Sequence, residues 1–212
     1  NDGNVDNLMI VHAGPGAEFT DDDNDVWSHS WNTYTPKLKD GKYVYAYTIM
    51  PEYWSSASLP TGDMTIGVFA HEMGHGFWNL PDLYDTDNSS EGLGNWSLMA
   101  SGSWNGSIYP GGNSPAWPDA WSRIRMGIAS ATSLTGTYIN KSIPQAYNNP
   151  GAGQTIFKLK STILGANEYW LVENRQQTTG TYDQYLPNGG LFIWHIDESK
   201  MDNDTECIYQ PS

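Results

Sequence analysis

The sequence predicts an α+β domain. Three observations carry this expectation: a periodic, amphipathic helix pattern over residues 65–78, strand patterns before and after it, and a Gly/Asn/Ser/Pro-rich stretch over 79–118 between the halves. The length of 212 residues suits one domain with two lobes, about 1–80 and 81–212. Its 38% hydrophobic and 13% aromatic content is that of a chain with a core to bury.

Residues 8–13 (LMIVHA) read as a buried strand, 18–25 as an acidic loop, and 43–50 (YVYAYTIM) as a strand rich in aromatic and β-branched residues. Residues 51–62 read as loop. Asp63 or Thr65 caps the helix that follows. Within it Ile66, Phe69, Ala70, Met73 and Phe77 recur at helical spacing as a core-facing stripe, and His71 and His75 share another face one turn apart. A long irregular stretch such as 79–118 inside a compact domain is usually functional. A second helix is expected over 116–127, starting near Pro118. Strand patterns then dominate at 155–159, 169–174 and 190–196. The whole reads as a mixed sheet with a central helix and a C-terminal lobe richer in strands.

The formal charge of −14 argues against nucleic-acid partners, which need Lys and Arg to displace counterions, and against anionic membranes. Bound divalent cations would relieve part of that self-repulsion. The single cysteine, Cys207, excludes an internal disulfide and a Cys-rich zinc site. No apolar run approaches the roughly 20 residues of a membrane span, so no membrane insertion is expected. The chain opens on Asn1 without a signal-peptide pattern, which suggests a processed piece of something longer.

The chemistry concentrates in His71-Glu72-Met73-Gly74-His75. Imidazoles at i and i+4 on a helix can both reach one zinc ion at about 2.0–2.1 Å. The residue after the first histidine points to the open side of the metal, where a carboxylate can take a proton from water. The motif on an amphipathic helix therefore predicts a Zn²⁺ site with His71 and His75 as ligands and Glu72 as general base. A catalytic zinc usually has three protein ligands. Asp82 is the nearest candidate, because Asn79 can end the helix in a left-handed conformation and Pro81 stops its continuation. Asp85 reads more naturally as an outer-shell or calcium ligand, and Glu91 is a weaker rival for the third position.

The segments VDNLMIVHAGPGAEF, DVWSHSW, MTIGVFAHEMGHGFWNLPDLYDTD, GLGNWSLMASGSWNG, PAWPDAWSRIRMG, EYWLVENRQ and GGLFIWHIDES together resemble the M6 metallopeptidases, typified by secreted immune inhibitor A proteins of bacilli. The resemblance runs over nearly the whole chain. It implies a zincin, metzincin-like catalytic domain, a single unit from a longer secreted precursor. It carries over His71 and His75 as ligands, Glu72 as general base, Asp82 as third ligand and Met99 as the packed methionine of a turn beneath the metal. The family pattern H-E-x-x-H-x-x-G-x-x-D matches only with one extra residue, which puts Asn79 at the glycine and Asp82 at the aspartate. A zinc endopeptidase acting on extracellular protein or peptide substrates, as a monomer, follows from the resemblance. The alternative is a non-catalytic, metal-stabilised binding module or adhesin.

Calcium is expected as a structural ion. Its candidate sites are the 2–6 segment (DGNVD), the cluster Asp21, Asp22, Asp23 and Asp25, and the group Asp85, Asp87 and Glu91. His12, His29 and His195 read as structural histidines, with an active-site role for His195 as a lesser alternative. Residues 95–105 are expected to line a cleft.

Overall fold

The computed structural model describes residues 2–56, 59–87, 89–109, 111–147, 155–161 and 163–200. Cys207 lies outside them. The α+β expectation holds: the described residues form two four-stranded sheets, a hairpin and few helices.

In the N-terminal half, β1 (Asn4–Val5) and β2 (Leu8–His12) pair in parallel with one edge of β4 (Lys42–Pro51). The short helix α1 (Ala17–Thr20) follows β2. β3 (His29–Lys39) pairs antiparallel with the other edge of β4. The sequence pattern identified β4 and missed β3, whose polar residues and register shift between Asn32 and Lys37 break the alternation. Residues 51–62, expected as loop, contain the antiparallel hairpin of β5 (Tyr53–Ser56) and β6 (Leu59–Asp63). Expected as buried, β2 instead exposes Leu8, Met9 and Val11, and among the described residues β4 is its one strand partner.

Helix α2 spans Ile66–Trp78, starts at Thr65 and ends at Asn79. Its apolar stripe is not its buried face throughout: Ile66 is 55% exposed and Phe77 42%. The buried positions are Gly67, Val68, Glu72 and Gly74. Two glycines explain the difference. A Cβ at Gly76 would collide with Asn7 and Thr48, which are hydrogen-bonded to each other at 2.5 Å beneath the helix. A Cβ at Gly74 would lie 2.5 Å from the Met99 sulfur. The helix thus packs backbone-first, on the sheet at one point and on the 97–99 segment at another.

Among the described residues of 79–118 the regular elements are two 3₁₀ turns, Gly94–Trp96 and Ser101–Trp104. Helix α3 (Ala120–Arg125) is shorter than the expected 116–127 and is capped by Asp119, whose side chain accepts the Ser122 N–H. The C-terminal sheet runs β10 (Gly190–Asp197), β9 (Glu168–Arg175), β8 (Ile156–Leu159), β7 (Ala131–Leu134). Two apolar clusters meet at Trp121: one of Ala120, Ile156, Tyr169 and Leu171, the other of Leu80, Leu98 and Met99.

Charges bind the C-terminal sheet to the irregular stretch. Arg175 and Glu173 lie two apart on β9 and are fully buried. Arg175 pairs with Asp183 and donates to the carbonyls of Trp96 at 2.5 Å and Trp117 at 2.8 Å. Arg123 donates to the Pro118 carbonyl and pairs with Glu173, which also accepts from the Trp194 indole. Removing one partner of such a pair strands a buried charge, at a cost of about 3–5 kcal/mol. Arg175→Ala is therefore expected to lower the urea midpoint by a corresponding amount, read by circular dichroism. A midpoint within error of the parent protein would contradict this role.

Candidate metal centre

Helix α2 brings His71 and His75 into edge-to-face contact, with ring centroids 4.7 Å apart and planes at 82°. Each ring is oriented by a main-chain carbonyl. The Nδ1–H of His71 donates to Leu98 at 2.9 Å, and that of His75 donates to Leu80 at 2.6 Å. A carbonyl can only accept, so both Nδ1 atoms carry the proton and both Nε2 atoms are bare in the neutral rings.

These bare nitrogens point at each other. The two Nε2 atoms are 3.1 Å apart, and Asp82 Oδ1 lies 3.0 Å from His71 Nε2 and 3.1 Å from His75 Nε2. Two lone pairs and an anionic oxygen this close repel unless a cation sits among them. Ligand pairs on a tetrahedral zinc with bonds of about 2.0–2.1 Å stand about 3.3–3.4 Å apart. The triangle is within a few tenths of an ångström of that spacing, and His71, His75 and Asp82 therefore fit a divalent ion.

Asp82 reaches this position through the turn that the extra residue creates. Asn79 adopts φ 50°, ψ 43°, the left-handed region, and its N–H bonds to the His75 carbonyl at 2.9 Å. Asparagine is among the few non-glycine residues that tolerate this conformation, so it stands in for the glycine of the family pattern. The Leu83 N–H then bonds to the Met99 carbonyl at 2.7 Å, which fixes the chain just after Asp82. Burial pushes the Asp82 carboxyl pKa up, but the hydrogen bonds and charges of His71 and His75 outweigh it and hold it well below the usual range.

Glu72 is buried, and its Oε2 has no hydrogen-bond partner among the described residues. Ligand atoms of His71, Glu72 and His75 all lie within 4.8 Å of one another. Burial pushes the Glu72 pKa up, against the opposing pull of His71 and His75. An orphaned carboxylate oxygen beside two bare imidazole nitrogens is suited to hold and move a proton at the metal. All four side chains face an open cleft of about 940 Å³, which the first residues of β3 and Ser101 and Trp104 also line. The Tyr84 ring stacks 6.4 Å from that of His71. Met99 is fully buried against Gly74.

Other expectations meet different outcomes. His29 lines the same cleft, with Nδ1 on the Trp27 carbonyl and Nε2 3.2 Å from the Tyr47 hydroxyl. His12 Nδ1 bonds to the Ala13 carbonyl. His195 pairs with Glu168 at 3.0 Å and lines a separate cleft of about 660 Å³. Asp85 accepts from the Ser90 N–H, the Ser89 hydroxyl and the Asp87 N–H; burial raises its pKa, and these bonds together bring it down to about 2. It organises its own turn. Glu91 does not reach the cleft. Among the described residues no second group of three His, Cys, Asp or Glu side chains converges, so the calcium expectation finds no support there. Sequence reasoning missed the carbonyls of Leu80 and Leu98, which carry no side-chain signal.

The helix, the paired histidines and the buried glutamate form a group that could hold a metal ion. The pattern that describes the family "Immune inhibitor A peptidase M6, catalytic domain" matches residues 1–129, and the chain belongs to the M6 peptidase family. It is similar to Immune inhibitor A of Bacillus thuringiensis subsp. alesti, 39% identical over 125 residues, which is 50% of this chain and 16% of that protein. It is also similar to Pre-pro-metalloprotease PrtV of Vibrio cholerae serotype O1, 33% identical over 156 residues, 66% of this chain and 15% of that protein. The alignments thus span less than a fifth of either relative.

The turn at Asn79 can be tested directly. Asn79→Gly should leave thermal stability within about 0.5 kcal/mol, whereas Asn79→Val, forced into the left-handed region, should cost about 1–2 kcal/mol. Differential scanning calorimetry reads both, and equal effects of the two substitutions would contradict the backbone argument.

Proposed function

We propose that this chain is the catalytic domain of a secreted zinc endopeptidase with a metzincin-like zincin fold. The observation that carries the reading is the convergence of His71 Nε2, His75 Nε2 and Asp82 Oδ1 beside the orphaned oxygen of Glu72. Family membership and the printed name of the Vibrio relative, a metalloprotease, support the same chemistry. His71, His75 and Asp82 hold the ion, and Met99 packs beneath it.

When bound, zinc acidifies its water and polarises the scissile carbonyl. Glu72 takes the proton of the attacking water and delivers it to the leaving amine. Glu72 is 6% exposed although it lines the cleft, which limits the competition of bulk water for that proton. A substrate peptide lies extended along β3, the edge strand of its sheet, whose outer edge pairs with no other strand among the described residues. An added strand would take its main-chain hydrogen bonds from that edge. Among the described residues no helix is long and apolar enough to cross a membrane. The substrates proposed are extracellular proteins.

The decisive variant is Glu72→Gln. It should bind zinc with near-parental affinity and lose casein hydrolysis by at least about 100-fold. A chelator should abolish the parental activity and added zinc restore it. Asp82→Ala should weaken zinc by more than the 10–100-fold that follows loss of an outer-shell partner. Full proteolysis by Glu72→Gln would refute the assignment of the base.

A further inference from the structure

The orientation of His71 depends on the carbonyl of Leu98, and that of Asp82 depends on the carbonyl of Met99 through Leu83. Neither carbonyl lies in a helix or strand, so something must hold the segment that carries them. The Met99 N–H donates to Ser97 Oγ at 3.2 Å, and the Ser97 hydroxyl donates to Asp119 Oδ2 at 2.7 Å. Ser97 is fully buried and Asp119 is 1% exposed. The same carboxylate accepts from the Ser122 N–H at 3.0 Å and the Ser122 hydroxyl at 2.7 Å, which anchors it at the start of α3. One carboxylate therefore joins the helix to the segment that orients two of the metal-binding side chains.

We propose that Asp119 and Ser97 are positioning residues of the metal centre. They act through the 97–99 main chain on His71 and, through Leu83, on Asp82. The proposal rests on the zinc reading above. Its physical basis is that a ligand imidazole binds well only when its other nitrogen is held, and loss of such outer partners typically weakens metal by 10–100-fold. A buried carboxylate spent only on capping a six-residue helix would need no bond to Ser97. The Ser97 bond is the part that reaches the site, and the Ser122 bonds are the part that serves the cap.

That separation supplies the test. Ser97→Ala removes the link and leaves the cap. Ser122→Ala removes a buried hydroxyl bond of the same 2.7 Å length to the same oxygen and leaves the link. Zinc affinity is measured on the folded whole chain by competition with a chromophoric chelator, with folding checked by circular dichroism. Ser97→Ala should weaken zinc by about tenfold or more, and Ser122→Ala by less than about twofold. Asp119→Asn, which keeps the cap acceptor but loses the anionic oxygen facing Ser97, should follow Ser97→Ala and guards against a misfolded alanine variant. Parental affinity in Ser97→Ala and Asp119→Asn overturns the proposal, as does an equal loss in Ser122→Ala. Should the parent protein itself take up no zinc, the metal reading fails first and the positioning role with it.

Discussion

Everything in the cleft depends on the two hydrogen bonds that pin the far side of each imidazole. An i, i+4 pair of histidines on a helix is only a pair of rings that can rotate. The carbonyls of Leu98 and Leu80 take the Nδ1 protons, and this turns both Nε2 lone pairs inward. Asp82 then completes a triangle of about zinc dimensions. Without those acceptors the same sequence motif would be a polar helix face. The order is thus main chain first, tautomer second, metal geometry third.

The helix can meet its acceptors only by close approach. Gly74 lets Met99 sit against the helix backbone, and the peptide unit that joins Leu98 to Met99 carries both the carbonyl that holds His71 and the N–H that reaches Ser97. A side chain at position 74 would lift the helix from the 97–99 segment and move His71 away from Leu98. The fully buried methionine therefore sets the spacing between the ligand helix and the segment that orients the ligands. Its thioether adapts to the contact without offering a competing strong acceptor.

The convergence of the site side chains was legible in the sequence, because it is local. His71, Glu72 and His75 share one helical turn, and Asn79 and Pro81 mark where the chain must reverse toward Asp82. β4, β9 and β10 were legible for the same reason, as each carries its own alternation or apolar run. β3 was not: it is polar, bulged and defined by its partner. The burial of α2 was misread, because the hydrophobic stripe suggested Ile66 and Phe77 while packing selected glycines and Glu72. The supports of the site were least visible of all. A main-chain carbonyl has no residue identity, and the bond from Ser97 to Asp119 spans 22 positions. One trace existed. Glu173 and Arg175 stand on the face of β9 that otherwise carries the buried Tyr169 and Leu171, and charges so placed must find partners inside.

Those partners bear on how much chain the centre requires. The family pattern ends at residue 129 and so contains every side chain proposed to touch the ion. It does not contain Glu173, Arg175 or Asp183. Without them Arg123 would be a buried cation lacking its carboxylate, and the carbonyls of Trp96 and Trp117 would lose the guanidinium that gathers them. Trp96 immediately precedes Ser97, and Trp117 lies two residues before Asp119. The ends of the segment that orients His71 and Asp82 are therefore fastened by the C-terminal sheet. An uncompensated buried charge costs several kcal/mol, comparable to the 5–15 kcal/mol stability of a whole domain. The unit able to keep two bare imidazole nitrogens and a carboxylate in one place accordingly extends at least through β9 to Asp183, well past Asp82, the last of the proposed ligands.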